Sequence, residues 1–562
     1  MPEKNSYKLA TYLYAPYLAA ATPEDIEKGI EYFEKHCPLD KVYLEPHRDL
    51  SDVPEDKILA AKALFAKHGI ETAGGITATV QMAGHEKKNI FSTFCYTDPA
   101  HRERYMEIVE YTARLFDEII LDDFFFTSCR CPMCIDAKTA QGKSWARYRL
   151  DLMEDVSREC VARAKKINPK LKFVIKYPNW YESYQECGYN PDKQKDIFDG
   201  IYTGTETRGP KYNAQHLQRY MSYSLVRYLE NTAPGRNGGG WIDTYGLDTD
   251  GYVEQAELTL FAKAEELMLF NFEDMKDSVY LAALGHKLGR VNSIIPQLGN
   301  PVGVPVYDPQ DSDGEDQLYN WLGMLGLPFE PTPRWTPDAP LIFLTQSAAY
   351  DGEITQKLEQ YVRAGGAAVV TTGFFKAVYD KGIKELTSVR LTGRHARGSE
   401  FSVDPYMRFG GGNGLASKEI GIEILDYKTN ASWCELTMYD GDNNFPLLVH
   451  DYYGDGDLYI LNVPENFADV YALPAEVTGY LGEVFATGQK VSLRAAPKHN
   501  LFLYDNGVVG VYAYGRAGGA ELILRDPALT GVRDLETGWE LKARDGRVPL
   551  MVNGGYKFYK LI

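Results

Sequence analysis

The chain has 562 residues, 44% hydrophobic and 25% charged, with a formal net charge of -18. That length holds roughly two to four globular domains, and the acidity argues against nucleic acid, whose phosphates need concentrated Lys and Arg. No run approaches the roughly 18 to 20 apolar residues of a bilayer span, and the opening MPEKNSYK lacks the apolar core of a signal peptide. A soluble chain with no membrane partner is expected, cytoplasmic, or periplasmic or secreted where a signal has been removed.

The first 280 residues alternate short β-rich runs with helical patterns, which implies a parallel sheet. Strands are predicted at 9–17, 42–47, 72–80, 118–126, 172–177, 200–206, 240–245 and 267–272, the third and seventh being rich in Gly. Amphipathic helices fall between them, such as 23–35, capped by Thr22 with Glu24 and Asp25 in its first turn, and 57–68. Eight such units have the size of one (β/α)8 barrel, assigned to residues 1–290.

Beyond the barrel, PVGVPVYDP (301–309), APLIFLTQS (339–347), the helical ITQKLEQYVRAGG (354–366) and AAVVTTGFF (367–375) read as strand, strand, helix, strand. They predict a Rossmann-like α/β domain over 291–480. The tail alternates over short strands separated by turn residues, as in a small antiparallel β-sandwich over 481–562.

A barrel gathers function at the carboxyl ends of its strands, so the last polar residues of each are the candidates. They are His47 and Arg48 after strand two, Asp122 and Asp123 after strand four, and Lys176 and Trp180 at strand five. Glu206 and Arg208 follow strand six, Trp241 and Asp243 strand seven, and Asn271 and Glu273 strand eight. Acids that transfer protons or attack, with flat rings that pack on sugar C–H faces, suit a carbohydrate. Asp123 is the first choice for the catalytic pair. Its partner is either Glu206, which Arg208 on the same face would keep ionised, or Asp243. The others are expected to bind substrate, and adjacent Asp122 and Asp123 are expected to face opposite ways. Lys176 is read as a hydroxyl ligand or ion-pair partner rather than a Schiff base, and no organic cofactor is expected.

Seven of eight cysteines lie before residue 190, which is no general disulfide framework. Cys129, Cys131 and Cys134 follow strand four as C-x-C-x-x-C, and Cys95 stands 34 positions earlier, after strand three. Four thiolates from two adjacent loops suit a closed, tetrahedral structural Zn2+ site, with a Cys95 disulfide or free buried thiols as the alternatives.

These features resemble the family 42 β-galactosidases and their barrel relatives. The likeness rests on Cys95 followed by a polar-Pro-x-x-Arg segment, then on CRCPMC just past strand four. The resemblance implies a four-cysteine zinc site, an amidotransferase-like second domain and a homo-oligomer such as a trimer. It implies an acid/base at Asp123 and a nucleophile at Asp243, although this chain has Asp-Asp where that family has Asn-Glu, and Asp where its strand seven has Glu. An Asp on strand four with a carboxylate on strand six also resembles α-galactosidase-like barrels, in which Asp123 would attack and Glu206 would be the acid. The expected function is glycoside hydrolysis on an oligosaccharide or glycoconjugate. The alternatives are a sugar isomerase or lyase using Lys176, and a non-catalytic carbohydrate-binding barrel.

Overall fold

The computed structural model describes residues 6–180, 183–209, 217–315, 317–403, 412–515 and 519–562. The chain divides into two compact units, Met1–Pro296 and Gln297–Ile562. No described helix is long and apolar enough to cross a membrane.

The first unit is a closed barrel of eight parallel strands in sequential order. They are β1 (Lys8–Leu13), β2 (Lys41–Leu44), β3 (Glu71–Ile76), β4 (Glu118–Leu121), β5 (Lys172–Tyr177), β6 (Gly200–Gly204), β7 (Asn237–Ile242) and β8 (Glu266–Leu269). β1 closes the ring by pairing Leu9 with Leu267 of β8 and Leu13 with Leu44 of β2. Ile119, Ile120 and Leu121 of β4 are all fully buried, because a parallel strand under helices has no wet face. The interior is filled by Tyr12, Tyr43, Ile120, Val174, Tyr202, Trp241 and Met268. Large rings from some strands require bare backbone on others. A Cβ at Gly75 would lie 2.4 Å from the Tyr12 ring, and one at Gly239 would lie 2.6 Å from that of Tyr202. This accounts for the glycines of β3 and β7.

Several strands end earlier than the sequence suggested. After β1 the chain turns at Tyr14 into the helix Ala15–Ala20, with Pro at its first turn, and β4 stops at Leu121 rather than at Phe126. The helix Pro23–His36 carries the expected cap: Thr22 accepts from the backbone of Asp25, whose side chain accepts from Thr22 in return.

The second unit holds a nine-stranded mixed sheet. Its parallel half, Phe329–Thr332, Val304–Tyr307, Leu341–Leu344, Ala367–Thr371 and Gly456–Leu461, continues into four long antiparallel strands between Arg390 and Tyr453. The helix Ile354–Arg363 forms as expected. The strand expected to 375 ends at Thr371, whose side chain accepts from Phe374 N and starts the helix Thr372–Ala377. In the tail, a six-stranded and a three-stranded sheet share an apolar core that includes Leu501, Val511, Leu522 and Val548.

Candidate active site

β4 delivers Asp122 and Asp123 just beyond its last paired residue. Asp122 N still donates to the carbonyl of Ile76 on β3 at 2.9 Å, and Asp123 N donates to Asp122 Oδ1 at 2.8 Å. Strand alternation lapses at that point, so the two side chains do not part as expected. Both reach Lys176 of β5, whose Nζ lies 3.5 Å from Asp122 Oδ1 and 2.7 Å from Asp123 Oδ2. The same Nζ lies 3.2 Å from Glu206 Oε1, two residues past the end of β6, and 4.1 Å above the centre of the Trp241 ring. Four of the predicted residues thus meet around the buried ammonium of a fifth, Lys176.

Arg48 joins them from a short hairpin after β2, where His47–Arg48 pairs with Ser51–Asp52. Its guanidinium lies 3.5 Å from Asp122 Oδ2, donates to Thr77 Oγ1 at 2.8 Å, and donates to Glu45 at 2.8 Å. Glu45 is fully buried and also accepts from Tyr12 OH and from Ala15 N. It directly follows β2, so the rule that singled out the other strand ends applied to it as well.

The charges do not balance. Burial alone would raise Asp122, but Lys176 and Arg48 outweigh it and hold its carboxyl below the usual range. Burial raises Asp123 to about 7, with help from the like charges of Asp122 and Glu206, although Lys176 opposes it. Burial also raises Glu206, against Lys176 and with the repulsion of Asp243. Burial works against the charge of Lys176, yet three carboxylates push its pKa upward, so it stays an ammonium. One oxygen, Glu206 Oε2, is buried with no hydrogen-bond partner. Its space exists because residue 204 is glycine: a Cβ there would lie 2.7 Å from Oε2.

Asp243 stands apart from this cluster. Arg208 grips it through Nε (3.1 Å to Oδ2) and a terminal nitrogen (2.7 Å), and Tyr245 N donates to Oδ1 at 3.1 Å. Arg208 was expected to hold Glu206 ionised. With φ of 53° it instead takes its hydrogen bonds to Asp243 and stacks 5.4 Å from the Tyr245 ring. His47 spends both ring nitrogens on Asp52 (2.8 Å) and the Thr79 carbonyl (3.0 Å). Asn271 caps the turn of helix at Phe272–Met275 by accepting from Asp274 N. Glu273 accepts from Tyr14 OH, whose ring lies 6.0 Å from the Arg48 guanidinium carbon. Trp180 is half-buried, and its carbonyl accepts from Ser183 N and from the Ser183 hydroxyl.

Cys95, Cys129, Cys131 and Cys134 converge, with all four sulfurs within 4.8 Å of one another. Three of the separations are 3.6, 3.7 and 3.8 Å. A tetrahedron with metal–sulfur bonds of about 2.3 Å has edges of about 3.8 Å, so the set fits a four-coordinate ion. The remaining cysteines are scattered: Cys37, Cys160 and Cys434 are buried singly and Cys187 is half-buried.

Residues 1–286 match the family model described as "Probable glycosyl hydrolase, catalytic domain". Residues 299–466 match that described as "Uncharacterized protein SSO3021, second domain". The uncharacterized protein SSO3021 of Saccharolobus solfataricus is 26% identical over 502 residues, covering 81% of this chain and 82% of that protein. Among solved structures, the beta-galactosidase from Rahnella sp. R3 superposes with a TM-score of 0.67 at 12% identity, covering 100% of this chain and 99% of that one. The beta-galactosidase from Bacillus circulans sp. alkalophilus gives 0.64 at 11%, with 100% of both chains covered. The exo-beta-1,4-mannosidase Op5Man5 from Opitutaceae bacterium strain TAV5 gives 0.53 at 10%, covering 81% and 91%. At these identities the likeness is one of fold.

Proposed function

The chain belongs to the glycosyl hydrolase family whose catalytic-domain model spans its barrel, and on that premise we propose that Asp123 and Glu206 are the carboxylates that cleave the glycosidic bond. One observation carries the choice: these two acids share the ammonium of Lys176, while Asp243 is closed off by Arg208. Their nearer oxygens can be no farther apart than the 2.7 and 3.2 Å to Nζ laid end to end. Oxygens that close favour the roughly 5 to 5.5 Å carboxyl separation of a retaining pair over the roughly 6.5 to 9.5 Å of an inverting one.

In this reading Glu206 is the protonated acid and gives its proton to the leaving oxygen as that oxygen parts from the anomeric carbon. The ionised form of Asp123, which Lys176 favours against the burial that raises its carboxyl to about 7, attacks the anomeric carbon and forms a covalent glycosyl ester. Glu206, now a carboxylate, takes a proton from water. The hydroxide equivalent releases the sugar and restores Asp123. Arg48, Asp122, Trp180 and Tyr245 are assigned to sugar hydroxyls and ring faces. Lys176 stays charged and so makes no Schiff base, which disfavours the lyase alternative.

The four cysteines are assigned to a structural Zn2+, which would tie the loop at Cys95 to the segment that follows Asp123. Metal analysis should give about one zinc per chain, and Cys129→Ser should lose it together with thermal stability. A homo-oligomer is part of the same proposal, and light scattering measures it.

The β-galactosidase and β-mannosidase neighbours suggest the first substrates to try: aryl β-galactosides and β-mannosides, with their α-anomers alongside. Asp123→Asn and Glu206→Gln should each abolish turnover, wild-type kcat/KM should fall as pH rises through the Glu206 pKa, and the first-formed sugar should keep its configuration. Full activity in Glu206→Gln with none in Asp243→Asn would transfer the partner role to β7.

A further inference from the structure

A cavity of about 670 Å³ opens among the loops that follow β3, β4 and β5, on the same end of the barrel as Asp123. In a chain of net charge -18 its lining carries Lys88, Arg130, Arg149 and Lys87, the last paired with Asp98 at 3.0 Å, against Glu86 and Glu186. Arg149 is the informative one. Its side chain is 4% exposed, and its two terminal nitrogens donate to the carbonyls of Glu186 (2.5 Å) and Ser128 (3.2 Å). Its Nε has no partner, and its nearest carboxylate is 3.9 Å away on the exposed Glu186. A buried guanidinium with an unpartnered N–H, whose one carboxylate partner is exposed and 3.9 Å away, is incompletely satisfied. Lys88 and Arg130 are exposed and have no carboxylate within ion-pair distance among the described residues.

The cavity is joined to the catalytic group by short covalent and packing steps. The loop that carries Lys87 and Lys88 also carries Phe91, whose ring packs edge-on at 5.4 Å against Phe124, the neighbour of Asp123. The Cys187 carbonyl on the cavity wall accepts from Thr127 N, and two residues later Tyr189 OH donates to the Asp123 carbonyl. The segments that flank Asp123 are thus the ones that wall the cavity, and the placement of the substrate along them belongs to the proposal.

We propose that this cavity is a subsite for an anionic group on the substrate, a sulfate ester or a uronate carboxylate, held by Arg149, Arg130 and Lys88. Planar and bidentate donors are the groups that recognise such anions, and loops that aim cations into a recess concentrate their field there. The inference rests on the catalytic reading above, since it places the anion beyond the sugar cleaved at Asp123.

Affinity is measured calorimetrically in Asp123→Asn with three probes: a neutral galacto-oligosaccharide, its sulfated form, and a glucuronate-bearing oligosaccharide. Inorganic sulfate serves as competitor. One anionic probe should bind at least about tenfold more tightly than the neutral one, and which of them does so distinguishes sulfate from carboxylate. Adding Lys88→Ala and Arg130→Ala should weaken that probe about tenfold relative to the neutral one, and sulfate should compete only when these residues are present. Equal affinity for all three probes overturns the proposal. So does a double variant that changes zinc content but not the affinity ratio, which would make these cations counter-charges to the thiolates. If Asp123→Asn still hydrolyses the probes, the catalytic assignment fails, while the affinity ratio still judges the subsite.

Discussion

Among the described residues the barrel holds two buried lysines among acids, one at each end, and they are built to opposite purposes. At the amino end Lys41 lies 3.0 Å from Glu118 and 2.8 Å from Glu266, with Lys172 at 3.7 Å from Glu118. Tyr43 and Tyr202 hydroxyls reach the same carboxylates. Two cations face two acids. Burial would raise Glu118, but the lysines outweigh it and keep it below its usual range. At the carboxyl end Lys176 and Arg48 face four acids: Asp122, Asp123, Glu206 and Glu45. There the surplus raises Asp123 and Glu206, and Glu206 keeps an unpartnered oxygen. A balanced cluster locks the strands together. An unbalanced one retains a proton and can give it away.

The sharpest way to break this contrast is to neutralise the surplus. Asp123→Asn and Glu206→Gln should each cost about 10³-fold or more in kcat, measured by steady-state hydrolysis. Neither should weaken the fold at pH 7. A carboxyl raised to about 7 binds its proton more tightly folded than unfolded, so its contribution to stability falls as pH rises from the ordinary carboxylate range to 7. Asp123→Asn should remove that slope and show an equal or higher urea midpoint at pH 7 than wild type.

The converse change is Lys41→Met. It leaves Glu266 buried without its cation and Glu118 with Lys172 alone, and should cost about 3 to 5 kcal/mol in urea unfolding, with near-normal kcat for the folded fraction. A large activity loss without destabilisation would end the distinction between the two ends. The smallest test is Gly204→Ala. Its methyl would meet Glu206 Oε2 at 2.7 Å and the Tyr177 carbonyl at 3.1 Å. A stability cost of about 1 to 3 kcal/mol is expected, with a displaced alkaline limb in the pH–rate profile as Glu206 shifts.

Much of the carboxyl-end cluster was legible because its members sit at the ends of apolar runs: Asp122 and Asp123 after EIIL, Lys176 in KFVIKY, Glu206 after GIYTG. What the sequence hid was partner choice. Arg208 lies two residues from Glu206 but turns to Asp243, because its positive φ departs from the strand path that same-face spacing assumes. His47 and Asn271 have the right chemistry at strand ends, yet local hydrogen bonds consume them. For Asn271 the signal was there, since Asn-Phe-Glu-Asp is a helix start. The amino-end cluster went unseen because Lys41, Glu118 and Glu266 each open a strand, where polar residues ordinarily read as solvated ends.

In the second unit, Pro301 and Val302 pair with Tyr504 and Leu503 in the terminal sandwich, while Val304 and the residues after it pair with Phe329 onward in the mixed sheet. A single residue, Gly303, separates the two memberships, and a Cβ there would lie 2.7 Å from the Pro328 carbonyl. The sandwich therefore draws an edge strand from nearly 200 residues upstream and is not a cassette that recombination could detach or transplant at its own amino terminus. Shuffling this region among relatives would have to carry the whole stretch from about residue 297, so the two sheets are bound to be inherited together.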